Sequence, residues 1–418
     1  MRLHKQTPVM RVLVLLLFMV GLDLYAWQSL RHLSESWPGG VKTAVTVTYW
    51  VLSACSLAFV ALSLFVGDLP LGRAALTIIR AIIFILYLSK FIASAFLLID
   101  DIRRAFGFLI GKITGSPPFD PGRARFLSAT AAIAGALPLT AMSYGILRNP
   151  YRYKTFRTEP LIDGLPRDLD GLKVIQISDI HSGSFFFKEP IKRAIELINR
   201  EEPDLVFFTG DLVNSKAEEM EPYIDIFSGI ESRYGTFSVR GNHDYGDYHR
   251  WPDAASKAAN TARFEEIHRE LGWDLLSNEN RLLSIRGQEV AVIGIENMSA
   301  IARFPKYGDL QKAREGTDKA SLRLLLSHDP SYWKTICNEF PDIDITFSGH
   351  THGFQFGVEI PAIFKWSPSQ YMYPQWAGLY TQGTQHLYVN RGLGFLGYPG
   401  RVGILPEVTS MTIRGSIS

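Results

Sequence analysis

Between residues 10 and 147 apolar residues run on with few interruptions, whereas from residue 150 onward short apolar runs alternate with polar segments. Residues 10–27, 44–66, 74–99 and 126–147 each approach the ~20 residues needed to cross a ~30 Å hydrocarbon core. Four transmembrane helices are expected. The first reads as a retained anchor rather than a signal peptide, because residues 23–27 offer no small-residue cleavage pattern and further spans follow.

After a polar, Pro-containing linker at 150–169, the period of the pattern changes. Residues 172–178 form a β-rich run, and Ile191, Ala194, Ile195 and Ile198 then recur at helical spacing within 188–200. Residues 204–209 show no alternation, as expected of a strand buried on both faces. Further strands are expected at 235–240, 289–295, 322–327, 343–348 and 387–390, with helices at 254–271 and 331–338. Strands alternating with helices imply a layered α/β domain over 170–418, preceded by an α-helical transmembrane region over 1–149.

Ionisable groups inside the spans are costly unless paired, turned inward or snorkelling. Asp23 and Arg80 are a candidate pair, although the expected arrangement places Asp23 at the interface and lets Lys90 snorkel. A formal net charge of +2 shows no nucleic-acid footprint. Cys55 and Cys337 form neither a disulfide framework nor a thiolate metal cluster. Basic residues are evenly divided between the two sides of the spans, so the membrane side of the α/β domain stays open.

Five polar blocks end apolar runs: Ser178-Asp179-Ile180-His181, Gly210-Asp211, Gly241-Asn242-His243-Asp244, Ser327-His328-Asp329-Pro330 and Gly349-His350-Thr351-His352-Gly353. Ligands bind outside the carboxyl ends of strands in open α/β sheets, so all five point at one crevice. Asp, Asn and His suit a dinuclear centre, with Asp211 as the natural bridging carboxylate. His243 would face substrate as a catalytic group, held in orientation by Asp244. Five of the 10 histidines fall in these blocks; His4, His32, His249, His268 and His386 read as structural or surface groups.

The ordered set Asp-x-His, Gly-Asp, Gly-Asn-His-Asp, His and Gly-His-x-His resembles the calcineurin-like metallophosphoesterases, in a bacterial membrane-associated branch. That resemblance implies two central mixed sheets flanked by helices, and two divalent metal ions, with Mn, Fe and Zn all open. It assigns Asp179, His181, Asp211 and His352 to one ion, Asp211, Asn242, His328 and His350 to the other, and catalysis to His243. Branch members often carry Gly-Gly-Gln after the last ligand, where Phe354 stands here between Gly353 and Gln355, a departure that bears on the pocket wall.

The expected function is a multi-pass membrane enzyme that hydrolyses phosphate ester or pyrophosphate bonds with a metal-activated hydroxide. A lipid-linked phosphate-ester substrate is favoured by the four spans, and some members of the family act on nucleotide-activated diacyl-sugars. A broad phosphodiesterase acting on soluble esters and a non-catalytic metal-binding membrane sensor are the alternatives. Phe185, Phe186, Phe187, Trp366, Tyr371, Tyr373, Trp376, Tyr380, Phe395 and Tyr398 form either an apolar rim for a lipid chain or a packed aromatic subdomain. Packing is the expected outcome, since aromatics chiefly build cores.

Overall fold

The computed structural model describes residues 8–66, 69–114, 121–360 and 363–416. Two compact units divide the chain at Tyr144 and Gly145.

The first unit is built from α1 (Pro8–Leu33), α2 (Gly39–Phe65), α3 (Arg73–Thr114) and α4 (Pro121–Arg148). Each contains a stretch long and apolar enough to cross a membrane. Helix α3 runs well past the expected end of its span, and ion pairs of Arg103 and Arg104 with Asp100 satisfy the charges in that extension. Asp23 is buried and pairs with Lys90 rather than Arg80, which corrects the expected pair. Its carboxylate accepts from Lys90 at 2.5 Å, Ser53 at 3.0 Å and Tyr87 at 2.9 Å. Lys90 is buried rather than snorkelling, while Arg80 is exposed. Tyr87 and Lys90, three residues apart, share a face of α3, whereas Arg80 lies about 15 Å further back along the axis.

The second unit contains two six-strand paths. In the first, β1 (Lys154–Thr158) pairs with β15 (Glu407–Gly415), followed by β3 (Leu172–Ile177), β4 (Leu205–Phe208), β5 (Thr236–Ser238) and β6 (Trp273–Leu275). Short β2 (Leu161–Ile162) also pairs with β15. The second runs β13 (Gly378–Gln382), β14 (Gln385–Val389), β10 (Ile345–Ser348), β9 (Leu322–Leu326), β8 (Gln288–Gly294) and β7 (Glu279–Ile285). A separate antiparallel ribbon joins β11 (Val358–Ile360) to β12 (Phe364–Trp366). Strands β1 and β2 fall in the segment expected to be a linker. They join the sheet through pairing with residues some 250 positions away, which a local pattern does not register.

Both sheets are mixed: β3 to β6 run parallel and β15 antiparallel to β3, while β14, β10, β9 and β8 run parallel between antiparallel edges. The inner faces interdigitate through Leu205, Phe207, Val292, Leu324 and Phe347, with Phe207 and Phe347 in edge contact at 4.9 Å. On the outer face of the first sheet, Val206 and Phe208 pack against α5 (Glu189–Asn199), short α6 (Ile224–Phe227) and α7 (Ala254–Leu271). Strand β4 is therefore buried on both faces, and its lack of alternation follows. The second sheet is covered by one-turn α8 (Leu310–Ala313) and α9 (Trp333–Glu339). The fold is a four-layer sandwich in which parallel strands of both sheets end at one edge.

Candidate metal centre

Each polar block leaves the carboxyl end of a strand: β3 before Asp179, β4 before Asp211, β5 before Asn242, β9 before His328 and β10 before His350. The two sheets are tied together at that edge. His328 Nδ1 lies 2.7 Å from the Thr209 carbonyl, and the His350 amide donates to Asp179 at 3.0 Å.

The chain turns sharply here by placing side-chain-bearing residues in the left-handed region. Asp179, His181, Asp211, His350 and His352 have φ between 46° and 71°. Such residues cost of order 1–3 kcal/mol each and persist where the surroundings over-determine them. Gly241 and Gly349 serve close approach instead: a Cβ would lie 2.2 Å from Asp211 Oδ1 at the first and 1.9 Å from Ser178 Oγ at the second.

Two groups of ligand atoms result, Asp179 with His181 and His352, and Asp211 with His328 and His350, each within 4.8 Å. His352 Nε2 is 3.0 Å from Asp179 Oδ1 and 3.1 Å from His181 Nε2. Asp211 Oδ2 reaches both groups, lying 3.6 Å from His181 Nε2 and 3.2 Å from His328 Nε2. Asn242 donates its amide to Tyr248 at 3.0 Å, and its buried Oδ1 has no hydrogen-bond partner among the described residues. A buried acceptor of that kind is expensive unless a cation or donor meets it. Carboxylate, imidazole and amide oxygen converging at these distances fit two divalent cations.

The charges are strongly perturbed. Burial alone would raise Asp211, but His328, His243 and His181 outweigh it and hold the carboxyl well below its usual range. Burial likewise opposes ionisation of Asp179, and His352 overcomes it. His181 is pushed down to about 3, chiefly by burial. At His328 burial works downward, yet the Asp211 carboxylate lifts it to about 10. Both carboxylates thus stay ionised beside the buried imidazoles despite the cost of burial.

His243 is set differently from the expectation. Its Nδ1 lies 2.7 Å from the Asn214 carbonyl, and its ring lies tilted against Tyr248 at 4.4 Å. Asp244 does not orient it. That carboxylate accepts from the amides of Asp211, Leu212 and Gly241, each at 2.8 Å, and so staples the Asp211 loop to the Asn242 loop. The physical reason is the turn: Asp244 points back beneath Gly241 while His243 points outward. Burial and the nearby Asp211 push Asp244 up to about 7.

A cleft of about 300 Å³ opens beside the ligands, with Arg303, Phe304, Phe354, Tyr373, Leu396 and Tyr398 in its wall. Tyr373 Oη lies 2.8 Å from His350 Nε2, and Phe304 meets the His350 ring edge-on at 4.7 Å. Tyr248, Asn214, Arg303 and Phe304 escape sequence reasoning, since no strand-end motif or spacing marks them. Of the remaining histidines, His268 and His386 are buried, His32 is exposed and His249 is half-buried; His4 lies outside the described residues.

Residues 172–354 match the family described as calcineurin-like phosphoesterase, and residues 10–150 match the probable calcineurin-like phosphoesterase transmembrane domain. The chain is 30% identical to the uncharacterized metallophosphoesterase YkuE of Bacillus subtilis (strain 168) over 70% of its own length and 98% of that protein's. The chain belongs to the calcineurin-like phosphoesterase family. It is a multi-pass membrane protein of that family. It is also similar to the transmembrane protein with metallophosphoesterase domain of Danio rerio, at 29% identity over 67% of this chain and 62% of the relative. The chain thus spans less than two thirds of that relative's length. The UDP-2,3-diacylglucosamine pyrophosphatase of Chlamydia muridarum is 27% identical over 54% of this chain and 79% of its own.

Proposed function

We propose that this phosphoesterase is a dinuclear, metal-dependent hydrolase of phosphate ester or pyrophosphate bonds, anchored in the membrane by its four spans. The observation that carries the reading is Asp211 Oδ2, which stands within reach of both ligand groups at once. Asp179, His181 and His352 would hold one cation with Asp211, and Asn242, His328 and His350 the other. Two bound divalent cations supply an acidified water and neutralise charge at the reacting phosphorus.

The protein's own groups do the rest. With Nδ1 donating to Asn214, His243 keeps Nε2 as its second proton site, suited to protonating a leaving oxygen. Tyr248 holds both the His243 ring and the Asn242 amide. Exposed Arg303 in the cleft wall offers a guanidinium able to donate to a phosphoryl oxygen. Asp244 keeps the Asp211 and Asn242 loops in register.

A lipid-linked substrate is supported by the spans, by Phe354 and Leu396 in the cleft wall, and by the diacylglucosamine substrate named for the Chlamydia relative. The test is turnover of a soluble phosphodiester, a nucleotide pyrophosphate and a phospholipid by the metal-reconstituted full chain, with His243→Ala as control. Lipid preference abolished in the control supports the reading; preference for the soluble ester points to a broad phosphodiesterase, and no turnover of any substrate points to a sensor.

A further inference from the structure

The ribbon of β11 and β12 carries its apolar and polar sides in the reverse of the order that water favours. Its register pairs Val358 with Trp366, Glu359 with Lys365 and Ile360 with Phe364, and cross-strand partners share a face. The polar pair is bonded to the domain, Glu359 half-buried and Lys365 exposed but tethered through its ammonium. Glu359 receives Arg391 at 2.5 Å, and Lys365 Nζ donates to the Ala377 carbonyl at 2.6 Å. Most of the apolar residues face out: Val358 and Ile360 are 47% exposed, Phe364 is 53% exposed and Ile363 at the turn is 80% exposed, while Trp366 is half-buried. A sheet with one wet side alternates the other way, apolar in and polar out.

This surface continues toward the cleft. Phe356 meets Trp366 edge-on at 6.5 Å and is itself exposed, and Phe354, also exposed, stands in the cleft wall. A contiguous apolar surface of this kind marks an interaction site.

The rest of the chain indicates what covers it. Four apolar helices cross the membrane, the last ends at Arg148, and β1 begins at Lys154. The intervening residues 149–153 reach at most about 18 Å even when extended, so the domain stays close to a bilayer surface. We propose that the outer face of this ribbon inserts into the interfacial layer of the bilayer. Val358, Ile360, Ile363 and Phe364 then meet acyl chains while Glu359 and Lys365 stay bonded to the domain. The insertion does not depend on which bond the cleft hydrolyses, or on whether it hydrolyses any.

Site-directed spin labelling tests this in the full chain, carrying Cys55→Ser and Cys337→Ala and reconstituted into phosphatidylcholine–phosphatidylglycerol vesicles. One label is placed by Ile363→Cys, a second by Phe364→Cys in case the first variant folds poorly, and a water-facing reference by Glu231→Cys. Bilayer insertion gives a several-fold lower collision rate with a water-soluble nickel chelate at 363 and 364 than at 231, together with higher oxygen accessibility. Nickel accessibility equal to that at 231 would overturn the proposal and leave the face for a soluble partner. Nickel exclusion combined with strong dipolar coupling between labels on two chains would overturn it in favour of a second copy.

Discussion

The Nδ1 atom of His243 lies 2.7 Å from the carbonyl oxygen of Asn214, a residue that follows the candidate bridging group Asp211 by three. The loop after β4 therefore places a candidate ligand and orients the candidate acid together. Removing the imidazole should leave the ligand groups intact and remove only proton transfer. His243→Ala is expected to lower kcat by roughly 10²–10⁴ with metal content unchanged. Turnover kinetics beside elemental analysis check this, and unchanged kcat would remove His243 from the chemistry.

Asp244 acts on the same loops by a different route. Its carboxylate is filled by backbone amides, so Asp244→Asn turns an amide donor toward donors and costs about 2 kcal/mol. The thermal midpoint in detergent is expected to fall while the pH dependence of kcat keeps its shape. A shifted pH profile at unchanged stability would instead restore Asp244 as the group that orients His243.

His268 provides the pH prediction. It packs against Phe264 and Trp273, with Nδ1 2.9 Å from the Phe264 carbonyl, and burial holds it down to about 4. The unfolded chain, with an ordinary histidine near pH 6.5, binds more protons than the folded chain between pH 6.5 and about 4. The contribution to stability is complete above pH 6.5 and is lost as pH falls through that window, amounting to about 3 kcal/mol. Thermal midpoints at pH 7.5 and pH 5 should fall less for His268→Phe than for the wild type. An equal fall would show that other groups set the acid sensitivity.

How much of this could be read beforehand differs from residue to residue. Strands β3, β4, β8, β9 and β10 carry dense apolar runs, and the candidate ligands follow strands, where local pattern is strongest. Strand β15 hides because Thr409 and Ser410 occupy buried positions, bonded there to Glu407, Asn390 and Glu201. Strand β1 is short and mostly polar, β2 is only two residues long, and both exist through pairing with it. The aromatic segments divide: Phe185, Tyr373, Trp376 and Phe395 pack, whereas Phe187 and Tyr371 stay exposed. Adjacency misled at Asp244, because consecutive residues in a tight turn point apart.

The Asp23 and Lys90 pair lies in the membrane unit, where water does not replace a lost partner. Lys90→Met alone leaves an unpaired buried carboxylate and should cost about 3 kcal/mol, whereas Asp23→Leu with Lys90→Met should recover most of that loss. A double-mutant cycle on the thermal midpoint in detergent measures the coupling, and additive losses would show the pair to be dispensable.

Elemental analysis of the purified full chain, wild type and Asp211→Asn, tests the bridged centre most directly. Two divalent ions per wild-type chain are expected, with binding of both weakened in Asp211→Asn so that neither survives gel filtration. One ion or none in the wild type, or two retained by Asp211→Asn, would contradict a centre bridged by Asp211.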